Sequence, residues 1–268
     1  MNSQADPTIR IRVDVTNPGQ FFACCGLVEL AERIRKQNLL CWFSGHEYFI
    51  DTGHSCRDSL QTLLGKLAET SLEQVDPDDE TASPLLISGA CELRLDWWRD
   101  ASGGGKALKT WAGSQNGYRI AKAMQKAVFG VTNMVDCLNY SAVVYDPHAS
   151  EKKVEPFYFD SRRGANPFSR DIGFAPDALQ MTTPAYPVVE YLCLVGLQRC
   201  RPRANQEPRV FDYYTWQTPL PLSATPAAVC GLLPEVGARG FRFANAFRTD
   251  QRKHKAFSPA IPLPRRAS

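Results

Sequence analysis

No run of about eighteen uninterrupted apolar residues occurs in this chain, and its first residues, MNSQADPT, hold neither a basic cluster nor an apolar stretch. A spanning helix needs the first and a secretion signal the second, so a soluble, unexported, cytoplasmic protein is expected, with no membrane partner. No two of the nine cysteines stand in C-x-x-C spacing, and an odd count suits reduced thiols better than a disulfide framework. The four histidines, His46, His54, His148 and His254, show neither HExxH nor metal-finger spacing. His54 and Cys56 form an HxC without the PCxxC that a deaminase zinc site needs, and there is no GxSxG nucleophile elbow. The glycine-rich stretch at 102–106 is no Walker loop, because Asp100 stands where its first glycine belongs and Ala107 follows Lys106. No metal and no cofactor is expected.

What is present is enough to build a large core: 268 residues, 44% of them hydrophobic. Charge is divided unevenly along the chain. Residues 1–100 carry 9 Lys+Arg against 16 Asp+Glu, whereas the remainder carries 22 of the 31 basic residues and 12 of the 28 acidic ones. The basic part is the one suited to a polyanion, although a basic surface often binds nothing in particular. Domain organisation follows the same division: a single compact unit over 1–268, divisible into an acidic 1–100 and a basic 101–248, with a basic, proline-rich tail at 249–268 that is expected to be mobile and to touch RNA or DNA non-specifically.

The strongest local signal is residues 17–36, NPGQFFACCGLVELAERIRK. Asn17 is a good N-cap, Pro18 suits the first helical position, and Gln20 stands where a capping box wants Glu or Gln. Apolar positions fill the first turns, which predicts burial all round, and Glu29 with Arg33 and Glu32 with Lys36 form i,i+4 pairs on an exposed stripe. Cys24 and Cys25 lie in the apolar part and read as packed thiols rather than nucleophiles. Strands are expected at 9–13, 39–43 and 47–51, the last two as a hairpin, with a second amphipathic helix at 56–68. The acidic stretch 69–83 reads as a solvated loop, 91–98 and 138–145 as strands, and 115–128 as a helix. A nearly all-apolar helix at 186–197 must be buried, and 210–216 and 240–247 are strand-like, with a short helix at 227–232. Helices mixed with mainly antiparallel strands give an α+β fold of unassigned topology.

Two basic stretches are candidate nucleic-acid contacts. In the first, Lys106 and Lys109 precede Trp111, with Arg119 on the following helix; lysines grip phosphates and a tryptophan stacks on a base. The competing reading puts Trp97, Trp98 and Trp111 in the core. The second, 158–201, opens with an irregular stretch holding Arg162, Arg163, Asn166 and Arg170; arginine suits bidentate phosphate or guanine contacts and asparagine an adenine edge. Here the competing reading is structural ion pairing, Arg162 with Asp160 and Arg170 with Asp171 or Asp177. Asp160, Asp171 and Glu190 also make a weak case for a carboxylate site.

The segments NPGQFFACCGLVELAERI, LDWW followed by KTWAGSQ, and FDSRRGANPFSRDIGFAPDALQMTTPAYPVVEYLCLVGLQRCRP together resemble the small Csb-type large-subunit family of subtype I-U (I-G) CRISPR interference complexes. They spread over residues 17–202. The resemblance implies a non-catalytic subunit of a Cascade-like antiviral surveillance complex, bound to CRISPR RNA and target DNA beside backbone and Cas5/Cas6-like subunits. It would aid inspection of the protospacer-adjacent motif while a separate helicase-nuclease cuts. The chain is short for a large subunit. The alternatives are a structural adaptor whose basic part binds an acidic protein, and a metal-dependent nuclease or hydrolase.

Overall fold

The computed structural model describes residues 7–53, 60–79, 81–111, 115–163, 184–248 and 254–264. The fold is α+β, as expected. In order along the chain it has β1 (Ile9–Arg12), α1 (Pro18–Arg35), β2 (Leu40–Ser44), β3 (Glu47–Asp51), α2 (Leu60–Glu69), β4 (Ser71–Gln74), β5 (Leu85–Ser88) and β6 (Leu93–Leu95). Then come α3 (Gly105–Leu108), α4 (Gly117–Ala127), β7 (Tyr145–Asp146), β8 (Ala149–Lys153), α5 (Pro187–Arg199), β9 (Arg203–Ala204), β10 (Val210–Thr215) and β11 (Leu220–Pro221). Last are α6 (Thr225–Val229), β12 (Arg239–Phe247), β13 (Lys255–Phe257) and β14 (Ile261–Pro262).

Helix α1 starts where its sequence says it should. Asn17 is extended, and its Oδ1 accepts from the N–H of Gln20. The capping box does not form, however. The N–H of Asn17 is already taken by the carbonyl of Asp14 at 3.0 Å, so Gln20 turns its Oε1 to the N–H of Asp14 at 2.8 Å. The helix is buried from Pro18 to Ala31 because α5 lies directly against it. The two backbones touch: a Cβ on Gly26 would sit 1.9 Å from the carbonyl oxygen of Leu192, and one on Gly196 2.0 Å from that of Phe22. Only glycine at both positions permits that approach. The expected exposed stripe is also different. Glu29 is buried, held by Arg33 at 2.6 Å and by Arg199 of α5, while Glu32 accepts the N–H of Leu39 at 3.1 Å. Packing of α5 over that face accounts for the change.

All the strand pairings are antiparallel: β1-β3-β2-β11 in one sheet, β13-β12-β10-β9 with β14 also on β12 in a second, β4-β5-β6 in a third and the ribbon β7-β8. Phe21 of α1 packs between the first two, 5.2 Å from Phe43 and 4.5 Å from Tyr213 by ring centroids. Burying rings of this size contributes about 1.5–3 kcal/mol each.

Three expectations need correction. The acidic stretch 69–83 contains β4, since Leu72 is buried against the sheet while Ser71 and Glu73 point to solvent. Residues 138–145 are not a strand. A 3-10 turn at Cys137–Asn139, a single bridge from Ala142 to Ala185 and the short β7 replace it, and local side-chain bonds such as Asn139 Nδ2 to Asp136 Oδ1 compete with a ladder. The tail is not loose over 254–264: β13 and β14 both pair with β12, and Phe257 is buried 5.2 Å from Phe159 and 4.8 Å from Phe243. Among the described residues no helix is long and apolar enough to cross a membrane.

Candidate nucleic-acid interface

The start of α1 and the first turn of α5 enclose a polar knot, and Arg162 belongs to it. Asn17 donates through Nδ2 to Asp160 Oδ1 at 2.9 Å and accepts the N–H of Ser161 at 3.1 Å. Glu190, buried in α5, takes the N–H groups of Phe159 and Asp160 at 3.2 and 3.1 Å. Arg162 closes the knot with Nε on Asp160 Oδ1 at 2.9 Å, Nη2 on Asp160 Oδ2 at 2.6 Å and on the carbonyl of Leu138 at 2.9 Å, and Nη1 on Asn139 Oδ1 at 2.8 Å. Those four bonds engage four of the five N–H donors of a guanidinium. Its carbon also lies 3.5 Å from the ring centroid of Tyr186. Arg162 is therefore a brace between the 138–139 turn, Asp160 and α5, the structural ion pair weighed against phosphate contact. Arg163 donates its backbone N–H to the carbonyl of Asp160 at 3.0 Å and faces Tyr158, 5.7 Å from its ring centroid. Asn166 and Arg170 lie outside the described residues.

The carboxylates Asp160 and Glu190 do meet, but both are wholly buried. Burial pushes Glu190 up to about 8, with the Asp160 charge adding to the rise against the two backbone N–H bonds. The third member imagined for that site, Asp171, lies outside the described residues. Among the described residues no group of three or more His, Cys, Asp or Glu is placed to hold a metal ion. Cys24 and Cys25 are buried and their thiols are raised by burial, which makes them packed rather than reactive.

The other candidate stretch divides. Trp111 is 4% exposed, with Trp97, Trp98 and Phe157 around its ring at 6.0, 5.4 and 5.0 Å, so it offers no face to a base. The competing reading, which put Trp97, Trp98 and Trp111 in the core, is the one the structure bears out. Lys109 is half-buried, its Nζ 2.8 Å from the carbonyl of Thr81 and 5.0 Å from the Trp111 ring centroid. Lys106 is exposed on α3. Arg119 pairs with the buried Asp146 at 3.2 Å and lines an open groove of about 230 Å³ with Lys122 and His148.

A second group of cations lies around Lys109, where the first residues of β10, the last of β12 and β13 converge. Lys255 stands opposite Phe247 in the ladder and donates its N–H to the carbonyl of Thr110 at 3.2 Å. Arg248 donates its N–H to the carbonyl of His254, and the carbonyl of Arg209 accepts from Asn245, both at 2.8 Å. No family model, curated protein or solved structure matches the chain. Arg209 and Arg248 were not picked out from the sequence; the folded sheet brings Arg209 to Lys255 and Lys109, and sets Arg248 over Tyr158.

Proposed function

We propose that the chain is a non-catalytic, nucleic-acid-binding subunit of a cytoplasmic type I CRISPR RNA-guided surveillance complex. It acts beside backbone and Cas5/Cas6-like subunits, aids motif inspection and target binding, and leaves cutting to a recruited helicase-nuclease. The observation that carries the proposal is where the three resembling segments lie. The first supplies Asn17 and Gly26, the second Trp97, and the third Asp160, Glu190 and Gly196. Asn17 bonds Asp160, Gly26 abuts Gly196, and Trp97 Nε1 donates to the carbonyl of Leu194 at 2.9 Å. The described parts of the three segments thus pack against one another. Charge supports the nucleic-acid part, since the excess of basic residues lies beyond residue 100.

The test is affinity purification of the tagged chain from its native host, with sequencing of bound RNA and identification of bound proteins. Recovery of CRISPR RNA with backbone subunits is expected. A chain that brings down neither contradicts the proposal.

A further inference from the structure

The corner around Lys109 gathers like charges that the fold does not pair. Among the described residues neither an ion pair nor a side-chain hydrogen bond engages Arg209, Arg248 or Lys255. By contrast, Asp212 in the same sheet holds Arg242 at 2.7 Å and Arg203 at 3.6 Å. Burial lowers Lys255, and the charges of Arg209 and Lys109 lower it further; burial and then Lys106 do the same to Lys109 against the pull of Asp79. Among the described residues the acid facing this group is Asp79, beside Lys109, and Glu155 bonds the hydroxyl of Tyr158 under Arg248. Assembling mutually repelling cations gives the folded chain nothing by itself.

The arginines are nevertheless held in place. Arg209 lies over the Phe247 ring, 4.6 Å from its centroid, and Arg248 over Tyr158 at 3.4 Å. A guanidinium stacked on a ring keeps its plane fixed and its N–H edge available for bidentate contacts. The backbone agrees: Arg209 has φ 63° and Tyr158 φ 67°, left-handed values that non-glycine residues rarely adopt and that the surrounding structure must sustain. Orphaned polar atoms collect here too. The Oγ1 of Thr110 and Oδ1 of Asn245 have no hydrogen-bond partner, and Asn245 Nδ2 donates to the carbonyls of Ala107 and Lys109 on the same corner.

We propose that Lys109, Arg209 and Lys255 form a phosphodiester-binding site that grips the backbone of a nucleic acid, while Arg248, one residue beyond Phe247 and so on the other face of the β12–β13 ladder, stays on the Tyr158 ring. Repeated phosphates suit several cations fixed on separate strands, whereas a single carboxylate would satisfy only one of them. This site rests on the nucleic-acid reading above, but it moves the contact from the Arg162 stretch to the β10–β12–β13 corner.

The experiment measures anisotropy of labelled oligonucleotides of about 20 nucleotides as RNA, single-stranded DNA and duplex, over roughly 50–300 mM salt. It compares the full chain with Arg209→Ala/Lys255→Ala and with a control, Arg94→Ala/Lys152→Ala, each checked for folding by circular dichroism. The corner variant should bind about tenfold or more weakly, with the slope of log affinity against log salt reduced by about 1.5. The three oligonucleotides show which backbone is preferred. Unchanged affinity and slope, an equal loss in the control, no binding by the unaltered chain, or tighter binding to polyglutamate than to any oligonucleotide overturns the site. The complex is judged separately. Loss of oligonucleotide binding by the variant when the unaltered chain recovers no CRISPR RNA keeps the site and rejects the complex. Recovery of CRISPR RNA with an indifferent variant does the reverse.

Discussion

Two groups of arginines in this chain stand in opposite electrostatic conditions. Arg162 is enclosed by Asp160, Asn139, the carbonyl of Leu138 and the ring of Tyr186, while Arg209 and Arg248 rest on aromatic rings and make no ion pair among the described residues. The first arrangement ties α1, the 138–139 turn and α5 together. The second adds little to folding and presents charge. An arginine in a basic motif is therefore no guide to a ligand until its N–H donors have been traced.

Replacing Asp160 by Ala should separate the two groups most strongly. It leaves Arg162 without its anion and Asn17 Nδ2 without an acceptor, so urea unfolding should show a loss of about 3–5 kcal/mol. A change below about 1 kcal/mol would mean that the knot is not structural. Next, a double-mutant cycle of Asp160→Ala with Arg162→Ala should give a coupling of about 1–3 kcal/mol, and additive losses would place Arg162 outside the knot.

Glu190 sharpens the contrast through pH. Its folded form holds a proton up to about 8, whereas an unfolded glutamic acid releases it near 4.5. Between those values the folded chain binds more protons than the unfolded one, so stability should fall as pH rises, by up to about 1.4 kcal/mol per unit. Glu190→Gln should flatten that fall, as read from urea midpoints between pH 5 and 8; an unchanged slope would contradict the assignment. The smallest effect belongs to the corner. Arg209→Ala/Lys255→Ala should move the unfolding free energy by no more than about 0.5 kcal/mol, since among the described residues neither side chain has an ionic partner to lose. A loss of 2 kcal/mol or more would make the corner a structural element like the knot.

Helix α1 was legible because cap, proline and apolar run agree, and α5 because its run from Pro187 to Leu197 is nearly all apolar. That the two cross at Gly26 and Gly196 was not, since each glycine is unremarkable in its own helix. The acidic residues around Leu72 concealed β4, and the prolines and cations of 254–264 concealed strands whose anchor, Phe257, finds its neighbours only across the sheet. At the site, the competing structural readings of Arg162 and Trp111 were visible in the sequence, but the choice depends on Asp160 and the aromatic cluster being close in space. Arg209 and Arg248 carried no local signal.

The central claim is that the unpaired corner, rather than the braced Arg162, meets nucleic acid. It is tested most directly by the oligonucleotide affinity of Arg209→Ala/Lys255→Ala measured beside its urea midpoint. A near-normal midpoint with affinity down about tenfold and a shallower salt slope is the expected result. A normal midpoint with undiminished affinity and an unaltered slope would contradict it.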